Sequence, residues 1–358
     1  MSRVILTLVA FVALVLGPAS VAAAAEGSAG AVYTLTNTAT NAVVAYDRSA
    51  SGELTLSGTF PTGGAGGALG SQGAVVLNGD GHWLYAVDAG SNDIAAFKVT
   101  KDGLVRTDRV ASGGTQPVSV TTSHDLVYVV NAASHNIAGF RSNEGVLTPI
   151  AGSTQTFTGT GAAQIQFSPS GSALVVTEKT TNTLYIFPVG KDDTAGAATS
   201  YSSSGATPFG FAFGRHNDLV VSEAAGGPGG LSAASSYELS KDNTLTAISS
   251  SVSTNQRSAC WVAVTKNGRF AFTGNAASDS ISTFAIDEDG VLTLVFDKQA
   301  SVIAGAHTTD LALSDDSRFL YANDGGTHTI SVYSVGADGS LTRLPGVTIA
   351  SAGGLAAR

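Results

Sequence analysis

Asn136-Ile137-Ala138-Gly139-Phe140 decides the fold, because the chain repeats this pattern about seven times. An aliphatic residue stands three positions before an aromatic one, and a small polar residue precedes it. The aromatic returns at Tyr46, Phe97, Phe140, Phe187, Tyr237, Phe284 and Tyr333, at spacings of 51, 43, 47, 50, 47 and 49 residues. The aliphatic partner returns as Val43, Ile94, Ile137, Leu184, Ile281 and Ile330, with Ala234 in the fifth copy. Self-similarity at such a period marks a repeat architecture, and about 40–45 residues carrying four short strands make one propeller blade.

Around each copy the chain reads as four strands. In the third copy, residues 117–121 alternate apolar and polar, Ser123-His124-Asp125 turns the chain, and residues 126–130 form a dense apolar strand ending at Asn131. The strand of Phe140 follows, then Glu144-Gly145 and an outer strand from Val146. Alternation bounded by Gly, Asn, Asp and Ser is the hairpin signal. The turns recur as Asp80-Gly81, Ser170-Gly171 and Asn267-Gly268, and again as Asp102-Gly103, Asp289-Gly290 and Asp338-Gly339. These residues tolerate the positive φ of tight hairpins. The expected fold is all-β: a seven-bladed β-propeller of four-stranded antiparallel blades over residues 26–358. The first copy lacks an inner strand, and residues 351–358 are surplus to the seventh. The C-terminal tail is therefore expected to enter blade one and close the ring, removing two exposed sheet edges.

Composition narrows the function. A net charge of −9 and only 13% charged residues argue against a nucleic-acid surface and an anionic membrane surface, both of which need clustered Lys and Arg. Residues 1–25 read as a signal peptide: Arg3, an apolar run too short to span a bilayer, Gly17-Pro18, then Ala22–Ala25 for a peptidase. A secreted or periplasmic protein with no membrane span after leader removal is expected. The lone Cys260 cannot form an intramolecular disulfide, so stability must come from packing and ring closure.

The residues also resemble a known family, the lactonase-like seven-bladed propellers of 6-phosphogluconolactonase and carboxymuconate cyclase type. Phe167-Ser168-Pro169-Ser170-Gly171 matches the family's Phe-Ser-Pro-Asp-Gly hairpin, and Asn267-Gly268-Arg269-Phe270 its Asp-Gly-Arg-Phe turn. The resemblance implies lactone chemistry, and Glu178 matches the family's acid. The family's Pro-Arg-His run, however, falls on Ala162, Ala163 and Gln164. Its blade-six Arg falls on Ala276, and its Pro-Arg-Asp/Asn run on Thr308-Thr309-Asp310. Lactone hydrolysis needs a base or activated water, and a cation or donors for the oxyanion. The resemblance thus implies a degraded site. A secreted bacterial subgroup is similar at Gly70-Ser71-Gln72-Gly73, Pro208-Phe209-Gly210-Phe211, Ser222-Glu223-Ala224, Ser235-Ser236-Tyr237 and Cys260-Trp261. The ending Gly353-Gly354-Leu355-Ala356-Ala357 is similar too, from which a complete chain is expected.

In a propeller, inner-strand starts and second-strand ends meet at one end of the channel. Strand ends supply Asp88, Asn131, Glu178, Glu223, Asn275 and Asp324; strand starts supply Gln72, Gln116, Gln164, Trp261 and Asp310. Two readings stand for this ring of acids and amides: a ligand site with Glu178 as candidate base, or blade-to-blade hydrogen bonding. His307, ahead of the seventh inner strand, is the one histidine placed to reach the channel mouth. No metal-ligand spacing, cofactor motif or nucleophile elbow is found, and Cys260 reads as a small buried residue. The expected partner is a small molecule or another protein, bound by a monomer. An active lactonase or cyclase, and an interaction scaffold using the lengthened loop 224–233, are the alternatives.

Overall fold

A computed structural model describes residues 28–225, 232–299, 305–349 and 353–358. The expected leader, residues 1–25, lies outside the described residues, as does most of the blade-five loop. The described chain forms seven antiparallel sheets, six of four strands and one, blade three, of five. Blade three gains its fifth because its outer strand is split into Val146–Pro149 and Gln155–Thr156, both paired with Asn136–Asn143. The only helical residues among those described are the short 3₁₀ turns Arg215–Asn217 and Ala276–Ser278.

The spacing of the repeated pair explains the packing. Successive side chains on a strand point to opposite faces, so residues three apart face opposite ways. Ile137 packs in a core with blade four, whereas Phe140 packs in one with blades one and two. Ile281 faces blade seven and Phe284 faces blade five. Ile330 faces blade one and Tyr333 faces blade six. The aromatic thus fills the interface with the preceding blade, and the aliphatic residue the interface with the following one. Each such side chain contributes about 1.5–3 kcal/mol by burial.

The outer hairpin turns reinforce these interfaces. Gly145 has φ +73°, and a Cβ there would lie 2.2 Å from the Trp83 ring of the preceding blade. Gly339, at φ +79°, meets Phe270 in the same way.

Ring closure follows the sequence reading. Gly353–Ala357 pairs antiparallel with Gly30–Leu35, giving blade one its inner strand. Leu355 is buried with Val32, Phe319 and Tyr321, sealing blade one against blade seven.

Candidate functional site

A β-bulge recurs near the second residue of the inner strand in blades three to seven. In blade four Ala162 pairs with Glu178 but Gln164 already pairs with Thr177; blade six repeats this with Ala259, Asn275, Trp261 and Gly274. Blades three, five and seven shift register at the same place. An extra residue re-aims the side chains that follow it. Just ahead of these strands, Gln116, Thr207, Ser258 and His307 adopt left-handed backbone, with φ of 59°, 61°, 56° and 42°. Such turns cost about 1–2 kcal/mol per non-glycine residue.

The strand-end acids and amides turn inward. Asp88, Asn131, Glu178, Glu223, Asn275 and Asp324 are each at most 2% exposed. Glu178 accepts hydrogen bonds from the amides of Gly161 at 2.7 Å, Thr180 at 2.8 Å and Thr181 at 2.7 Å, and from the Thr181 hydroxyl. Burial pushes its carboxyl up, but the Thr181 hydroxyl and the three amides together hold it below the usual value. Glu223 accepts from Gly205 N, Ser235 Oγ and Ser251 Oγ. Asp88 holds Asn41 and Thr62, and burial pushes its carboxyl up against those two bonds. Asn131 donates to Ser112 O, and Asn275 to Ser280 and Ser282. Asp324 accepts from Thr308 and Ser331. These side chains anchor the connection arriving from the preceding blade or tie strands within their own. Gly64, Gly114, Gly159 and Gly205 lie directly against Asp88, Asn131, Glu178 and Glu223, where a Cβ would come within 2.1–2.6 Å. That recurring glycine was a signal available in the sequence and not used.

Gln72, Gln164 and Trp261 are brought together across the channel. The Gln72 amide donates to Val262 O at 2.7 Å and accepts from Val262 N at 3.0 Å, joining blade two to blade six. Gln164 makes the same double contact with Phe211 of blade five, at 2.8 and 2.7 Å. Gln72 N donates to Ala163 O, the Ser71 hydroxyl to Val118 O, and the Trp261 indole to Ser71 O. The segment Gly70-Ser71-Gln72-Gly73 therefore seals this end of the channel instead of pairing as strand, which is why the inner strand of blade two is only Val75–Leu77. Gly210 is required beneath it, since a Cβ there would lie 2.1 Å from Gln72 Oε1. Ser222 accepts from Gly210 N and donates to Cys260 O. Cys260 is buried, which pushes its thiol up to about 12 and keeps it protonated at neutral pH.

Beside the seal a hollow of about 320 Å³ opens between blades three and four, bordered by Gln116, His135, Thr160, Gly161 and Lys179. Lys179 was missed in the sequence. Its ammonium donates to Gly70 O at 2.6 Å and stands 4.5 Å from the centre of the Phe209 ring. Burial lowers its pKa, while Cys260 and Glu178 pull it back up. Gln116 donates to Ala68 O. The remaining candidates stand elsewhere. His307 is exposed on blade seven, with its backbone held by Asp279 and Nδ1 3.1 Å from Ala276 O. Asp310 is fully buried and accepts from Leu311 N. Burial raises its carboxyl well above the usual range. Among the described residues no three His, Cys, Asp or Glu side chains gather as a metal site.

The family described as "Lactonase, 7-bladed beta-propeller" matches residues 27–156 and 224–356. No curated protein matches. Among solved structures, a candidate 6-phosphogluconolactonase of Bacteroides fragilis superposes with a TM-score of 0.74 at 17% identity, covering 94% of this chain and 99% of its own. A Lactobacillus plantarum protein gives 0.74 at 16% identity, over 92% and 99% of the two chains. A periplasmic gluconolactonase of Pseudomonas aeruginosa gives 0.72 at 15% identity, over 91% and 97%. At these identities the likeness is one of fold.

Proposed function

The chain belongs to the lactonase family of seven-bladed β-propellers, and from that premise we propose that it is an exported binding member of the family that has lost lactone hydrolysis. The observation that carries this reading is the state of Glu178. Four donors already occupy its carboxylate, and a general base must have a lone pair within reach of the water it activates. The family's cation and imidazole positions hold Ala163 and Gln164, and the Gln164 amide is committed to Phe211.

The positive charge bordering the blade three–four hollow is Lys179, beside Gln116. A cation partly withdrawn from water attracts a carboxylate more strongly than an exposed one does. The ligand proposed is a small hydroxy acid of the gluconate kind, the product class that the gluconolactonase neighbour's name implies for that protein. Export rests on the leader-like residues 1–25. No helix among the described residues is long and apolar enough to cross a membrane.

Calorimetric titration of the mature protein with sodium gluconate tests the reading. Saturable binding, lost in Lys179→Met and weakening as pH rises through the lowered lysine pKa, is expected. Gluconate binding that survives Lys179→Met would remove this site. The competing reading, hydrolysis with Glu178 as base, draws on family membership and is separated by assaying turnover.

A further inference from the structure

Below the seal, the central channel is a well of about 550 Å³. Gln72 and Gln164 stand at its inner end. Val76, Thr122, Gln166, Ala212, Leu313 and Ala357 wall it, and it opens among the turns that end the inner strands, on the face opposite the strand-end hollow. Its volume lies in the range of small-molecule sites.

We propose that this well is a second binding site, for a neutral, hydroxyl-rich small molecule of monosaccharide size. Three observations converge. First, among the described residues the only charged ones lining it are Asp315 and Arg358, both near the open end, and Arg358 is already bonded to Gly81 O. A charged ligand would meet no counter-charge inside and would pay for its lost hydration. Second, the interior offers donors and acceptors in need of partners. Gln166 lines the well with its Oε1 buried and without a hydrogen bond among the described residues, although buried polar groups are normally satisfied, so a turn of its amide toward a ligand would give that oxygen a partner. Each amide nitrogen of Gln72 and Gln164 retains a second hydrogen beyond the one given to the backbone. Third, Val76, Ala212, Leu313 and Ala357 supply apolar wall for the C–H faces of a sugar ring. This site does not depend on the gluconate reading.

The test is saturation-transfer NMR and calorimetry with glucose, xylose and myo-inositol as neutral probes, and gluconate as the charged one. At least one neutral probe is expected to bind the wild type and Lys179→Met equally. Gln166→Leu should weaken it by about three- to tenfold, the scale of one neutral hydrogen bond. Ala212→Phe, which fills the well from a different blade, should abolish it and leaves the test standing should Gln166→Leu fail to fold. No saturable signal from any neutral probe, or binding indifferent to Ala212→Phe, would show that the well holds water alone and overturn the proposal.

Discussion

Truncating Gln72 to alanine removes the two hydrogen bonds between its amide and Val262, leaving the Trp261 indole on Ser71 O as the remaining side-chain bond from this segment to blade six. The Val262 N–H and C=O, on a residue 1% exposed, lose their partners together. Leaving a buried backbone group unsatisfied costs about 1–3 kcal/mol. Two such groups set an upper range of about 2–6 kcal/mol, and water entering from the well recovers part of it. The expected net loss is therefore about 2–4 kcal/mol. Urea unfolding should show a lower midpoint at unchanged slope, since the surface exposed on unfolding is the same. Acrylamide should also quench the fluorescence of Trp261 more readily, because its indole is held against Ser71 O on the same segment. Gln72→Glu should behave like the truncation, for a carboxylate cannot donate to Val262 O. A loss below about 0.5 kcal/mol, the range of ordinary surface substitutions, would refute the reasoning. The segment would then be a passive loop and not a seal.

Further outcomes follow from the closure strand, the buried acid and the leader. Leu355→Ala opens the seam between blades one and seven and should cost about 2–5 kcal/mol in the same assay; an unchanged midpoint would mean that the ring does not depend on this strand. Asp310 has a raised folded pKa, so its contribution is fully present below the ordinary carboxylate value of about 4 and is lost as pH rises toward the folded pKa. Asp310→Asn should accordingly gain stability over the wild type at neutral pH and converge with it in acid; parallel stability curves would exclude a protonated Asp310. Amino-terminal sequencing of the exported protein should begin near residue 26, and recovery of Met1 on the exported chain would contradict the leader.

The fold was legible because both faces of every blade are buried. An aliphatic and an aromatic residue three apart, such as Ile137 and Phe140, announce two opposite apolar faces on one strand. The closure was legible as a strand missing at one end of the repeat and surplus at the other. The site was legible only as a set of positions. Trp261 lies within its inner strand, whereas Gln72 was expected at an inner-strand start and lies ahead of Val75–Leu77 in the sealing segment; which groups the two meet depends on contacts 190 residues apart. The Glu178 environment was partly readable, since Thr180 and Thr181 sit next to it in sequence. Its saturation also needed Gly161 from the connection that enters the blade. Lys179 escaped because it follows a strand end, where the turn and not the strand alternation aims the side chain.

The central claim is that this propeller binds without hydrolysing, and lactone turnover tests it most directly. The mature protein would be incubated with glucono-δ-lactone while acid release is followed against spontaneous hydrolysis, in parallel with Glu178→Gln. The account predicts that neither protein exceeds the buffer rate. Saturable turnover by the wild type that Glu178→Gln abolishes, with the melting transition of the variant retained, would contradict it and make Glu178 the base.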